Sequence, residues 1–311
     1  MGLSQHGKVG ILMGGDSSER EISLKSGKAV YDSLKGLGLE VCAIDITTRD
    51  LQKVEQLLKE SCFDCAFIAM HGLFGEDGQI QQLLQDLNIP YTGSGVRSSC
   101  LAMDKVASRR IFQAQGLHVP VYKILNRNDK VHDDCLKLRF PVVVKPVNNG
   151  SSVGLSIIDS AKQLTQAVEL ALSLDERALI EEYIPGRELT VGILEEITLP
   201  IIEIIPKNKF FDFDAKYHSG MADYMVPAKL DKALGYKVQE AALLAHKCLD
   251  CYGCSRVDII VNKKNLPCIL EVNSIPGFTS TSLLPKAAKV AGIEFGQLCL
   301  RLIELAFKRG V

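Results

Sequence analysis

Two short segments near the C-terminus carry the densest set of chemically competent side chains: Ser255-Arg256-Val257-Asp258-Ile259-Ile260-Val261 and Pro267-Cys268-Ile269-Leu270-Glu271-Val272-Asn273. With Asn262–Asn265 between them they read as a β-hairpin turning at Lys264-Asn265. In that antiparallel register Asp258 faces Glu271 and Arg256 faces Asn273, and because side chains alternate, all four project from one face. The opposite face, Val257, Ile259, Val261, Cys268, Leu270 and Val272, is apolar throughout. Two carboxylates and an amide oxygen over a buried ribbon make a hard-cation site of the kind Mg²⁺ uses beside nucleotide phosphates. The alternative is that Arg256 merely forms a salt bridge with Asp258 or Glu271. Facing carboxylates repel unless something positive lies between them, which favours the cation site.

A second set lies upstream. Pro141-Val142-Val143-Val144-Lys145-Pro146 reads as a buried strand carrying one lysine, and a buried lysine needs an anion to face. The following Val147-Asn148-Asn149-Gly150-Ser151-Ser152-Val153-Gly154 joins it to a second strand, Leu155–Ile158. The loop lacks the Gly-Lys-Ser/Thr helix opening of a P-loop. Laid over phosphates, it could still donate backbone N–H groups and hydroxyls. A third loop, His71-Gly72-Leu73-Phe74-Gly75-Glu76-Asp77-Gly78, follows a predicted strand, where ligands bind in open α/β sheets. The turn Gly14-Gly15-Asp16-Ser17-Ser18 is not the dinucleotide pattern, and Glu19 and Glu21 would put negative charge where a pyrophosphate should sit.

The elements that must position these loops come in three segments. Residues 1–95 alternate short apolar runs (Val9–Met13, Val41–Asp45, Ala66–Met70) with helical patterns after Ser23 and near Leu51–Leu58, the signature of a parallel sheet with crossover helices. Residues 96–188 begin with a helix over Ser99–Gln115 and continue into the lysine strand, and 189–311 contain the hairpin. A chain of 311 residues fits two or three domains. A net charge of −1 argues against a general nucleic-acid or membrane-surface binder. No apolar run approaches the roughly 18 residues of a membrane helix, so a soluble, cytoplasmic protein is expected. Cys62-x-x-Cys65 and Cys248-x-x-Cys251-x-x-Cys254 superficially suggest a metal cluster, but Cys248 and Cys251 share an apolar helix face with Ala241 and Leu244, and all ten cysteines are expected to be reduced and structural.

Taken together, Gly14-Gly15 through Leu24, His71 through Gly78, Met103-Asp104-Lys105, Lys145-Pro146, Gly150–Gly154, Asp214-Ala215-Lys216-Tyr217, Arg256-Val257-Asp258 and Glu271-Val272-Asn273 through Gly277 resemble a D-alanine–D-alanine ligase of the ATP-grasp superfamily over essentially the full length. The resemblance implies an α/β (α+β) ATP-grasp fold: an N-terminal Rossmann-like domain (1–95), then central (96–188) and C-terminal (189–311) subdomains sandwiching ATP. It also implies ATP-driven joining of two D-alanine molecules for peptidoglycan through an acyl phosphate, by a homodimer with two Mg²⁺ (or Mn²⁺) per site.

By motif match Lys105, Lys145 and Lys216 would contact the ATP phosphates, with Ser151, Ser152 and the neighbouring glycines covering them. Glu181, Glu182, Tyr183 and Ile184 would hold adenine and Glu188 the ribose; many members have Trp or Phe at the Tyr183 position. Asp258, Glu271 and Asn273 would bind the metals, Glu271 bridging. Arg256 and the Gly277 N–H would stabilise the tetrahedral oxyanion. Glu21 would hold the first ammonium and His71 would lie near its carboxylate, with Ser282 and Leu283 receiving the second carboxylate at a helix start. Tyr217, paired with Ser151, favours an amine nucleophile. His71 as a capping or core histidine and Glu21 as a helix-start acid are the plainer alternatives. D-Ala–D-lactate or D-Ala–D-Ser ligation and a silent nucleotide-binding protein remain the rival functions. Residues 208–226 are expected to form a lid over ATP.

Overall fold

The computed structural model describes residues 7–129, 138–206 and 222–310. Three parallel strands, β1 (Val9–Gly14), β2 (Val41–Ile46) and β3 (Cys65–Ile68), lie in the order β2-β1-β3, with α1 (Arg20–Gly36) and α2 (Leu51–Ser61) as crossovers. This is the arrangement the alternating pattern predicts. Helix α1 starts earlier than expected because Ser23 is not its cap. The Ser23 hydroxyl donates to the Ala69 carbonyl at 2.8 Å and accepts from the Gly14 N–H at 2.9 Å, tying the ends of the sheet to the helix interior.

Helix α3 (Gln79–Asp86) follows the glycine-laden loop. The single helix expected over Ser99–Gln115 is two, α4 (Val96–Met103) and α5 (Lys105–Ala114). Asp104 breaks it: its backbone is extended, one carboxylate oxygen caps the Val106 and Ala107 N–H groups, and the other accepts from Arg177 at 2.7 Å.

A four-stranded antiparallel sheet follows, comprising β4 (Tyr122–Asn126), β5 (Val142–Pro146), β6 (Ser156–Ile158) and β7 (Arg177–Glu182) in the order β4-β7-β5-β6, with α6 (Leu164–Leu174) packed on it. A six-stranded sheet contains β8 (Gly186–Leu194), β9 (Ile197–Thr198), β10 (Ile202–Pro206), β11 (Ala222–Met225), β12 (Cys254–Asn262) and β13 (Pro267–Asn273), ordered β11-β10-β8-β12-β13 with β9 beside β8. Helix α7 (Lys232–Cys248) buries Leu234, Val238 and Ala242 against Val257, Ile259 and Ile269 of that sheet. Of the last two helices, α8 (Leu283–Val290) packs on β8, and α9 (Phe295–Arg309) returns to β3 and α1. There Leu284, Leu298 and Leu302 share one core with Val9, Ile11 and Phe67, and Phe278 meets Phe67 edge-on at 5.4 Å. The two ends of the chain therefore fold around a common core.

The hairpin adopts the expected register, Asp258 opposite Glu271 and Arg256 opposite Asn273. Beyond it a bulge intervenes: Ile259 pairs with Ile269, leaving Leu270 as the extra residue. Ile269 therefore enters the core, and Leu270 lines a cavity instead of lying with Val257 and Val272 as the strict alternation predicts. Cys268, opposite Ile260, also leaves the expected face, although it stays buried. The nine cysteines in the described residues are free, and no group of three His, Cys, Asp or Glu is gathered there to hold a metal. Cys254 lies in the core with its thiol pushed up to about 12 by burial.

One buried polar contact gives the fold a pH dependence. His246 of α7 is buried, its Nδ1 lies 2.7 Å from Ser255 Oγ, and burial lowers its pKa to about 4 despite the opposing pull of Glu196. The unfolded chain takes up this proton near pH 6.5 and the folded chain only near 4, so stability is lost as pH falls across that window. Urea unfolding should show a loss of up to about 3 kcal/mol between those values. His246→Asn should remove most of that slope.

Candidate functional site

Two cavities, of about 350 and 440 Å³, lie on either side of a wall to which Lys105 and Glu271 contribute; both residues line both spaces. The larger lies between the four- and six-stranded sheets. Its wall includes Lys145 from β5, Ser152, the β7 end Glu181-Glu182 with Tyr183 and Ile184, Glu188 from β8, and Asp258 from β12. The smaller lies under the loops of the first sheet and is lined by His71, Ser151, Arg256, Asn273, Gly277, Ser282 and Leu283. The sequence-predicted site residues that are described, with one exception, thus gather around two adjoining spaces.

The exception is Glu21. It sits exposed in the first turn of α1, away from either cavity. Glu19, two residues earlier, fills the place expected of it: buried, in the wall of the smaller cavity, and accepting a short hydrogen bond from the Ser151 hydroxyl. The reason is helix phase. Because α1 begins at Arg20, Glu21 is a helix-start acid favoured by the dipole, while Glu19 is still outside the helix. A local signal existed in Ser17, whose hydroxyl accepts the Glu19 N–H at 3.2 Å and donates to the His71 carbonyl at 3.0 Å, folding the turn toward the second loop. Lys216 and Tyr217, and most of the expected lid, lie outside the described residues; of residues 208–226, β11 is a strand of the six-stranded sheet.

His71 is buried, with Nε2 2.9 Å from Ser26 Oγ and Nδ1 3.2 Å from the Ile275 carbonyl and 3.3 Å from Glu76. Burial raises the Glu76 carboxyl to about 7, although His71 pulls it back. Glu76 stood within the glycine-rich motif but had no assigned role; a carboxyl protonating near neutrality in a cavity wall is a candidate for function.

On the hairpin, Asp258 accepts from Arg256 Nε and Nη2, both at 2.9 Å, and from Thr190 Oγ1 at 2.7 Å. The plainer reading of Arg256 as an ion-pair partner is therefore realised, yet Arg256 also lines the smaller cavity beside Gly277. Asn273 Oδ1 accepts from the Ile275 N–H at 3.1 Å. Asp258, Glu271 and Asn273 supply hard oxygens from paired positions, a donor set suited to Mg²⁺. Lys105 Nζ donates to the Asn149 carbonyl at 2.7 Å and lies 3.7 Å from Glu271. Lys145 Nζ is 2.8 Å from Glu181, and burial lowers its pKa. Burial alone would raise Glu181, but Arg109 and Lys145 hold it below its ordinary range.

The loop between β5 and β6 places successive residues on different sides of the wall. Ser151 and Ser152 both take left-handed backbone (φ 52° and 59°), an uncommon and costly state for non-glycine residues. Ser151 faces the smaller cavity and Ser152 the larger. Ser282 stands at the N-cap position of α8 without a side-chain bond to the helix; its hydroxyl accepts from the Thr279 N–H at 3.1 Å, and this helix start opens on the smaller cavity as expected.

Residues 111–304 match the sequence pattern described as the D-ala D-ala ligase C-terminus, and residues 47–94 that of the D-ala D-ala ligase N-terminus. The chain is 48% identical over 299 residues to a D-alanine–D-alanine ligase of Geotalea uraniireducens, covering 96% of this chain and 95% of the relative. Among solved structures, the Bacillus anthracis D-alanine–D-alanine ligase complexed with ATP superposes with a TM-score of 0.86 at 33% identity, covering 97% of this chain and 98% of that one. The VanG D-Ala:D-Ser ligase of Enterococcus faecalis superposes with a TM-score of 0.81 at 30% identity, covering 96% and 99%.

The close approach of the two N-terminal loops gives a stability test. Gly72 has φ 74°, and a Cβ there would stand 2.7 Å from Glu19 Oε2 and 3.0 Å from Ser17 Oγ. Gly72→Ala should cost about 1–3 kcal/mol of stability and displace the Glu19 side chain. Thermal melting and a crystal structure of the variant would check both effects.

Proposed function

Because the chain belongs to the D-alanine–D-alanine ligase family, we propose that its two cavities divide one reaction between them, ATP in the larger and the amino acids in the smaller. The enzyme uses ATP to join two D-alanine molecules into D-alanyl-D-alanine for peptidoglycan synthesis. One observation carries the division: the cavities share Lys105 and Glu271, where the terminal phosphate would have to meet the amino-acid carboxylate.

In this reading the carboxylate of the first D-alanine attacks the γ-phosphate of ATP, giving an acyl phosphate and ADP. The amine of the second then attacks the acyl carbon, and phosphate departs. Lys105 and Lys145 bind phosphates, the Gly150–Gly154 loop with Ser152 covers them, the backbone of Glu181–Ile184 and an apolar side chain there receive adenine, and Glu188 takes the ribose. Lys216, from outside the described residues, is proposed to join the phosphate contacts, and Tyr217 to meet Ser151. Glu19 replaces Glu21 as the acceptor of the first ammonium, with His71 near the same molecule, and the helix start at Ser282 and Leu283 receives the second carboxylate. Arg256 and the Gly277 N–H stabilise the oxyanion as the tetrahedral centre forms. Asp258, Glu271 and Asn273 would hold two Mg²⁺ or Mn²⁺ ions, which neutralise phosphate charge when bound. We also propose three structural units, 1–95, 96–188 and 189–311, a homodimeric assembly and a cytoplasmic setting, as family membership suggests.

The direct test is D-alanine-dependent ADP release with the product identified by mass, offering D-serine and D-lactate in parallel. Release of ADP with D-lactate or D-serine as the preferred second substrate would overturn the D-alanyl-D-alanine assignment. Glu19→Gln should raise KM for the first D-alanine about tenfold or more, the scale of one lost charged hydrogen bond, while Glu21→Gln stays near wild type. Glu271→Gln should lower kcat by about 10³-fold or more with the melting curve preserved. Near-normal phosphate release from that variant would remove the metal assignment.

A further inference from the structure

Arg109 is the bulkiest fully buried side chain among the described residues, and none of the roles above uses it. It projects from α5 one turn beyond Lys105 and lies behind the wall of the larger cavity rather than in it. Its guanidinium pairs with Oε2 of Glu181, while Oε1 of the same carboxylate takes Lys145 Nζ at 2.8 Å. It also stacks 5.5 Å from the centre of the Tyr122 ring and reaches the carbonyl of the bulged Leu270 at 3.4 Å.

Lys145 and Glu181 alone would form a neutral buried pair, at rest without any third charge. Arg109 makes the trio net positive, which is expensive in a buried site unless an anion is meant to arrive. As Lys145 turns toward a phosphate it divides its charge and its three N–H donors between that phosphate and Glu181, and without another partner that would leave a buried carboxylate undercompensated. We propose that Arg109 is a positioning residue for nucleotide binding: it keeps Glu181 neutralised so that Lys145 is released to the polyphosphate. The lowered pKa of Lys145, caused first by burial and opposed by Glu181, fits a cation short of negative charge. The inference rests on the reading that Lys145 faces the ATP phosphates.

Calorimetric titration with Mg·ADP and, separately, adenosine tests it. Arg109→Met should weaken Mg·ADP about tenfold or more, the scale of one charge-assisted contact, and leave adenosine unchanged. Adding Glu181→Gln to that variant should restore Mg·ADP binding to within about threefold of wild type, because no carboxylate remains to hold Lys145. Unchanged Mg·ADP binding in Arg109→Met, parallel loss of adenosine, or failure of the double variant to recover would each overturn the proposal. Should Arg109→Met not fold, Glu181→Gln alone decides: it should bind Mg·ADP several-fold more tightly than wild type, and equal or weaker binding refutes the idea. Lys145→Met separates the two levels. Wild-type Mg·ADP affinity in that variant would remove the phosphate reading and this inference with it, whereas loss there with no effect of Arg109→Met removes the inference alone.

Discussion

A carboxylate and a triphosphate repel one another, and joining them requires a place where positive charge is already concentrated and water is scarce. Lys105, Lys145 and Arg109 are buried, and Arg256 is largely so. They come from one helix and two separate sheets, so the fold must close before the charges converge. Their mutual repulsion is offset by Glu181, Asp258 and Glu271, each held against at least one of them. The site is thus a nearly balanced ion cluster that an anionic ligand completes.

That requirement accounts for the packing of α8 and α9. If α8 and α9 packed only on the six-stranded sheet, the turn carrying Gly277 and Ser282 would lie far from Glu19 and His71. While α8 stays on β8, α9 packs on β3 and α1, with Leu302 in one core with Phe67 and Phe278. Ser26 on α1 binds both His71 and the Phe278 N–H, the latter at 3.3 Å, and so links the first sheet's loops to that C-terminal turn.

The parts legible from sequence are those fixed by short-range periodicity. The β12–β13 register followed from alternation and turn length, and the three-stranded parallel sheet from alternating strand and helix patterns. The alternation holds along β12, where Ile259 and Val261 keep the core face, and fails on β13 beyond Glu271, because a bulge leaves no mark in residue type and one extra residue exchanges the faces of Leu270, Ile269 and Cys268. Glu19 was missed for a similar reason: two acids two residues apart differ in exposure only through where the helix begins. Asp104 reads as a helix residue in sequence, because what breaks the helix there, its cap and its ion pair with Arg177 73 positions away, depends partly on tertiary packing. Arg109 gave no signal, since an arginine on an amphipathic helix reads as surface and its partner Glu181 arrives only through tertiary packing.

The contact between Ser151 and Glu19 joins residues 132 positions apart and shows how the two cavities are coupled. Ser151 holds its place through a left-handed backbone, and its neighbour Ser152, also left-handed, faces the other cavity. Such backbone states persist only when the surroundings determine them. Here the determinants are on both sides: a carboxylate from the first sheet's turn, and the Asn149 carbonyl accepting from Lys105 just upstream. A displacement of this loop cannot alter one cavity without altering the other, because two adjacent residues with constrained backbone form part of both walls. The amino-acid space and the nucleotide space are therefore shaped by one piece of chain, and the lysine that steadies it lines both.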